Sequence, residues 1–351
     1  MHVDDARVAR GTAPAGSMTP APASSPARLR RIVDELAEAG FRLDGPPQWS
    51  ATVLDELDYA LRPVVHERRV PTFGAIIAPR TPPDSWDHTT QLTITHKPIV
   101  QLSLPTARRF ADGLSSWVIR AVESDDSQSS AVDELAVFDR PAGSERDLVV
   151  LAEALGATLV QRHPTGIVRL VGHFGVLRWD GLSWHHEPPI SSWIDSLSAC
   201  GDHGSADVIE TMLEFAVHDL GARGIGAILV YRPDDDEPPT YEVRLQTPPA
   251  LRIMTPSNLA PLRHVLSQID GAAVFDASGT LRELGVRLVP SAAAESDVEG
   301  FRGMRHTSGR RYSFDDRRAT VIVISEDGPV TVLRKGHLLG SSTTVAGTTT
   351  D

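Results

Sequence analysis

The chain has 351 residues, of which 41% are apolar and 23% charged. That excludes a wholly disordered or fibrous protein, and at roughly 150 residues per domain it predicts about two domains. The 34 basic and 46 acidic side chains give a formal charge of −12, which argues against a nucleic-acid partner bound through its backbone. The basic side is lopsided: Lys97 and Lys335 are lysines and all the others are arginines. Cys200 is the sole cysteine, so neither an intrachain disulfide nor a cysteine-cluster zinc site can form.

Met1 to Ala27 is rich in Ala, Pro, Ser, Thr and Gly. It lacks the apolar core of a signal peptide and is expected to be disordered, as is the tail 341–351. No stretch approaches the roughly 18 apolar residues of a membrane span. The expectation is a cytoplasmic protein with no membrane partner.

A first helix is predicted over 27–39, where Leu29, Ile32, Val33 and Leu36 recur at helical spacing. Gly40 is its stop signal. A second helix follows over 51–61. Strands are predicted over 72–77, 91–95 and 99–104, then a helix over 105–122 and a polar loop over 124–130. Helix 145–155 leads into strands 158–161, 166–170 and 175–179. Asp180-Gly181 is a hairpin-turn pair between Trp179 and Trp184. This makes an α+β domain over 28–200.

The small, polar stretch 195–205 marks a boundary. Beyond it, Val208, Ile209, Met212, Leu213, Ala216 and Leu220 form one apolar helical stripe. The run 226–231 (GAILVY) reads as a buried strand. Helix 258–269, strands 272–275 and 281–289, an acidic loop, a loop entering a helix over 303–313, and a hairpin of 319–325 with 330–333 complete the chain. The fold class is α/β: a mixed sheet flanked by helices over 205–338, preceded by the separate α+β domain.

Two local signals carry chemistry. Arg302 to Arg318 holds six arginines in 17 residues, offset by Asp315 and Asp316. A solvated helix face is the plain reading. However, Gly303-Met304-Arg305-His306-Thr307-Ser308 places a glycine before a helix start carrying cations and hydroxyls. Helix N-terminal N–H groups and the dipole favour a phosphate there. The second signal is Asp270-Gly271-Ala272, a carboxylate at a helix-to-strand junction. Its glycine permits close approach of a ligand to the backbone.

In this order and spacing the motifs resemble the diadenylate cyclase (DAC) domain, the nucleotide-binding domain of the bacterial DNA-integrity scanning protein and its relatives. That family has an Asp-Gly-Ala motif and, some 30 residues on, Gly-Thr-Arg-His-Arg. The strand 226–230, Leu288-Val289-Pro290 and Ser325-Glu326 fit as well. The resemblance covers about 205–338. It implies condensation of two ATP into cyclic di-AMP with release of two pyrophosphates, between facing domains of a homo-oligomer, assisted by Mg²⁺ or Mn²⁺. It also implies residue roles. Asp270, Arg305 and His306 would be the catalytic groups. Gly271, Ala272, Leu288, Gly303, Met304, Thr307, Ser308 and Ser325 would contact the nucleotide with Arg305 and His306. Asp270 and Glu326 would hold the metal.

Two positions depart from the family pattern. Met304 replaces a threonine and Thr307 replaces the second arginine. Arg310, three residues on and on the same helical face, or Arg311 could supply the missing charge; the changes could equally mark a slow enzyme, or a domain that binds nucleotide without cyclising it. A DNA-contacting damage sensor is disfavoured by the net charge. In the first domain, His163, His173, His185 and His186 lie near Glu187. Adjacent histidines on a strand face opposite ways, so they read as surface or packing groups rather than one metal site. Trp179, Trp184 and Trp193 read as packing around the hairpin. The pattern 174–184 (FGVLRWDGLSW) resembles a predicted sensor domain found ahead of some DAC domains, which implies a ligand of unknown identity.

Overall fold

The computed structural model describes residues 25–62, 71–79, 86, 90, 92–98, 103–122, 134–199, 206–233, 240–243, 245–301, 303–326 and 329–342. The tail 1–24, the loop 124–130, the linker 200–205, Arg302 and the tail beyond Ser342 lie outside them. So do most of the strand expected over 99–104 and the turn residues Asp327 and Gly328.

Helix α1 (Pro26–Glu38) starts on Ser25, whose side chain accepts from Arg28 N, and buries Ile32 and Leu36. Helix α2 (Pro47–Leu61) packs beside it. Eight strands then form one sheet: β1 (Phe73–Pro79), β2 (Ile94–Pro98), β3 (Ser116–Val122), β4 (Glu134–Phe138), β5 (Thr158–Arg162), β6 (Val168–Gly172), β7 (Gly175–Trp179) and β8 (Trp184–Glu187). Their order is β2-β4-β3-β1-β5-β6-β7-β8, with β1 and β3 parallel and the other pairs antiparallel.

The helix expected over 105–122 is instead α3 (Leu104–Phe110) followed by strand β3. Asp112 breaks the helix: its Oδ1 accepts from the backbone N–H of Leu114, Ser115 and Ser116, each at 2.8 Å. This local bonding competes with helix continuation. Gly113 completes the turn at φ +69, pressed against the Phe73 carbonyl. Strand β4 was not expected at all. Helix α4 (Glu145–Leu155) carries a capping box of Ser144 and Asp147 and ends on left-handed Gly156.

Helices α5 (Ile190–Ala199) and α6 (Ala206–Glu214) pack together, and α5 also touches the last strand of the second sheet. Trp193 accordingly joins the second sheet's core with Val208, Met212 and Ile324, whereas Trp184 and Trp179 pack in the first. The helix expected over 208–220 changes character part-way. From Phe215 to Leu220 it is π-helical, and Gly221–Arg223 is a 3-10 turn ending on left-handed Gly224.

The second sheet comprises β9 (Ala227–Tyr231), β10 (Tyr241–Glu242), β11 (Ala272–Phe275), β12 (Leu281–Leu288), β13 (Thr320–Ile324), β14 (Val330–Arg334) and β15 (His337–Ser341). The order is β10-β12-β11-β9-β13-β14-β15. Strands β9 and β11 are parallel and the rest antiparallel. Helix α7 (Pro256–Leu266) precedes β11. The acidic stretch expected as a loop forms a short helix, α8 (Ala292–Asp297), capped by the Ser291 hydroxyl. Helix α9 (Met304–Asp315) lies against β13 and β14. None of the described helices is long and apolar enough to cross a membrane.

Candidate functional site

Strand register brings the two motifs to one edge of the second sheet. Ala272 on β11 pairs with Ile228 on parallel β9, and Ala227 pairs with Ile324 on antiparallel β13. The starts of β9 and β11 and the end of β13 therefore lie side by side. Val286 pairs with Ala272, so the end of β12 reaches the same edge. Asp270, Gly271, Leu288, Ser325 and Glu326 are thus neighbours by topology although they span 57 positions of sequence.

The N-terminus of α9 meets this edge through Arg305. Its Nη1 donates to Glu326 Oε1 at 2.9 Å, and a Cβ at Gly226 would run into the same guanidinium. Gly303, at φ +104, precedes the helix, and no side chain caps it. The first-turn N–H groups are left for a ligand or solvent. Met304 projects from this end with 87% of its surface exposed. His306 Nε2 lies 3.2 Å from Thr331 Oγ1 and edge-on to the Phe301 ring.

Other residues of the motif are occupied with local structure. The Thr307 hydroxyl accepts from Phe301 N and donates to the carbonyls of Phe301 or Gly303, at 3.0–3.1 Å. It fixes the turn into α9. Arg310 stacks over Phe301 and donates to the carbonyls of Gly336 and Glu299 at 2.8 and 3.0 Å. Arg311 reaches back to the carbonyls of Val298 and Glu295. Both arginines tie α9 to the 295–299 segment rather than pointing their charge at the helix N-terminus.

Asp270 is exposed and forms no ion pair among the described residues. Gly271 takes φ +104, and a Cβ there would stand 2.8 Å from the Gly285 carbonyl carbon. The requirement for glycine is met by close approach of β12 itself. Ala272 and Leu288 are buried, and Leu288 packs with Ile228, Val286 and Tyr312. Ser325 is half-buried and its N–H donates to the Pro329 carbonyl. Ser308 is half-buried on the first turns of α9.

Residues 30–187 match the family described as "Probable sensor domain DACNK", and residues 214–338 match "DisA bacterial checkpoint controller nucleotide-binding", the DAC family. The chain joins a DACNK domain to a DAC domain. Among solved structures, a hypothetical membrane spanning protein from Bacillus cereus is 23% identical, with a TM-score of 0.28, over 36% of this chain and 59% of that one. A double mutant of DacA from Staphylococcus aureus is 17% identical, with a TM-score of 0.20, over 42% of this chain and 85% of that one. No curated protein matches.

Where the DACNK and DAC domains meet there is a charged cluster that sequence reasoning missed. Glu145, at the start of α4, receives Arg178 through two bonds of 2.6 Å and His218 Nδ1 at 2.9 Å. Arg178 also bonds Glu187 at 3.0 Å and the Val217 carbonyl at 3.2 Å. Arg146 bonds Glu214 and Asp219, each at 2.9 Å. Burial alone would raise the Glu145 pKa, but the charges and bonds of Arg178 and His218 outweigh it and hold the carboxyl well below the usual range. Glu187 goes the other way, pushed up chiefly by burial. The partners of Glu145 lie 33 and 73 residues away, a distance at which no local pattern signals a pair. The histidine cluster disperses: His185 bonds Asp180 and His186 the Phe174 carbonyl, each at 3.0 Å.

Proposed function

We propose that the chain is a diadenylate cyclase whose DAC domain condenses ATP into cyclic di-AMP under the influence of its DACNK domain. The observation that carries this reading is the convergence of Asp270, the Arg305–Glu326 pair and the uncapped start of α9 on one sheet edge of a DAC-family domain. An exposed carboxylate beside a cation and open N–H groups suits in-line transfer at phosphorus, which is catalysed mainly by positioning and charge.

In this reading the 3′-hydroxyl of one ATP attacks the α-phosphorus of a second, and the bond to pyrophosphate breaks. Asp270 takes the hydroxyl proton on its carboxylate. Arg305 and His306, with the α9 N–H groups, neutralise charge on the leaving pyrophosphate. One domain holds one ATP, so a second copy supplies the other reactant. The exposed start of α9, led by Met304, is free to face it.

Among the described residues no three His, Cys, Asp or Glu side chains converge as a metal cage. A divalent ion that keeps phosphate ligands needs only one or two carboxylates, and Asp270 with Glu326 would be the pair to hold it. Such an ion would supply Lewis acidity at the phosphate oxygens.

Incubation with ATP and Mn²⁺ or Mg²⁺, read by mass spectrometry, tests the reading. The expected product is cyclic di-AMP, absent in Asp270→Asn. A specific observation favours a second reading, a nucleotide-binding signalling domain without turnover: Thr307 and both Arg310 and Arg311 are committed to local structure, so neither of these arginines stands in for the missing family arginine. ATP binding without product selects that reading.

A further inference from the structure

A cavity of about 590 Å³ lies between the two domains, lined by residues from both. That volume is in the range of small-molecule sites. Its walls include Arg169 and Arg178 of the DACNK sheet, His218 and the Gly221–Gly224 turn of the DAC domain, and Glu326 beside the nucleotide motif.

The lining charges are unevenly matched. Glu145 is saturated by Arg178 and His218, and Glu187 is held by Arg178. Asp180 is bonded by His185 and two backbone N–H groups, Glu326 is paired with Arg305, and Glu38 is exposed to solvent without an ion pair among the described residues. Two of the three lining arginines are less well served. Arg223 is exposed and forms no ion pair with any described acid. Arg169 is 5% exposed, yet its Nε stands 3.4 Å from Glu145 Oε2 without a hydrogen bond, and its Nη1 bonds only the neutral Gln161. A buried guanidinium without a full counter-charge is costly, and an arginine fork is built for oxyanions.

We propose that this cavity binds a small oxyanion, a phosphate or carboxylate group, between Arg169, Arg223 and His163. His163 stands close to both arginines: burial chiefly, and then Arg169 and Arg223, holds its pKa below the usual histidine range. The site lies against the DAC machinery. A Cβ on Gly224 would meet the Glu326 carbonyl at 2.9 Å, and Glu326 is the residue that holds Arg305. An occupant therefore touches the wall that positions a phosphate-motif arginine. By linkage, anion binding and ATP binding then alter each other's affinity. The site itself stands apart from the cyclase reading; its effect on turnover rests on that reading.

The test is calorimetric titration of the full chain, without ATP, using inorganic phosphate and, separately, succinate. One of them binds, and the tighter identifies which oxyanion chemistry the site takes. Arg223→Ser weakens binding by about tenfold, the loss of one charge-assisted contact, and Arg305→Ser, which acts only through Glu326, weakens it less. Arg169→Met, checked for folding by circular dichroism, weakens it as well. The proposal is overturned by absence of binding to both anions, or by binding that is lost with Arg305 but not with Arg223. Because binding is read without turnover, a protein that binds the anion and makes no cyclic di-AMP refutes only the cyclase. A product rate indifferent to saturating anion refutes the coupling.

Discussion

Substitution of Glu145 tests whether the two domains are held by one buried charge cluster. The carboxylate is fully enclosed and serves three short contacts, two from Arg178 and one from His218. Glu145→Ala leaves Arg178, itself 7% exposed, with only Glu187 and a carbonyl. Removing one member of a buried pair costs about 3–5 kcal/mol. With a urea slope of about 3 kcal/mol/M, the unfolding midpoint falls by roughly 1–1.7 M. Glu145→Gln, which keeps the shape and one acceptor, falls between. The loss also depends on pH. Glu145 has a depressed folded pKa, so its contribution is present above the unfolded value of about 4.3 and is lost as pH falls through the folded one. Glu187 has a raised folded pKa, so it adds stability at low pH that is lost as pH rises. The gap between wild type and Glu145→Ala therefore narrows in acid. Urea unfolding at neutral and acidic pH decides it. A loss under about 1 kcal/mol at neutral pH, the size of one ordinary hydrogen bond, or a gap that does not narrow in acid would refute the cluster as described.

Three further substitutions address the nucleotide domain. Gly271→Ala is expected to destabilise by about 1–3 kcal/mol through backbone strain at positive φ and collision with β12, measured by urea unfolding; an unchanged midpoint counts against the register around Asp270. Arg310→Ala should lower stability by about 1–3 kcal/mol while the Kd for ATP stays within about twofold, because its donors serve Gly336 and Glu299; a tenfold weaker Kd would place its charge on the phosphates instead. Thr307→Val removes the hydroxyl that fixes Phe301, costing about 1 kcal/mol and weakening ATP binding through the loosened α9 start; equilibrium dialysis that finds ATP binding intact would show that the turn needs no such fixing.

Much of the second domain was legible because its signals are local. The runs 226–231 and 319–325 are continuous apolar stretches and became the buried strands β9 and β13 at the centre of the sheet. Asp270 shortly precedes the apolar strand β11 and Gly303 directly precedes α9, so their place at element junctions could be read directly. What failed was competition between equally local signals. The stretch 105–122 has enough apolar residues for a helix, yet one aspartate accepting three N–H groups stops it after Phe110. The glycine of Asp270-Gly271 suggests room for a ligand, and the backbone of β12 fills that room. Arg310 has the right spacing to support Thr307, but spacing says nothing about the carbonyls that claim its donors.

The arginine excess gains a partial physical account from the ion pairs. Glu56 is buried against Arg108 and Arg120, Asp58 against Arg28 and Arg62, Glu145 against Arg178, and Asp316 lies against Arg232 and Tyr312. A guanidinium offers two parallel donors and is more weakly hydrated than an ammonium, so it is the better cation to enclose beside a carboxylate. Partners such as Glu56 and Arg108 stand 52 positions apart, which is why a count of charges could show the excess but not its use. At the domain boundary the same device spans two units: Arg146 from α4 bonds Glu214 and Asp219, and Arg263 from α7 reaches Asp219 at 3.3 Å. These bonds converge on the π-helical turn 215–220, where the regular helix gives way and His218 and Asp219 are buried together. Departures of this kind recur at functional sites because they re-aim side chains without ending the helix. Here the re-aimed residues meet the DACNK domain on one side and continue into β9, the central strand of the DAC sheet, on the other. The turn thus places the wall of the interdomain cavity a few residues from the start of β9, at the edge where Asp270 and Arg305 stand.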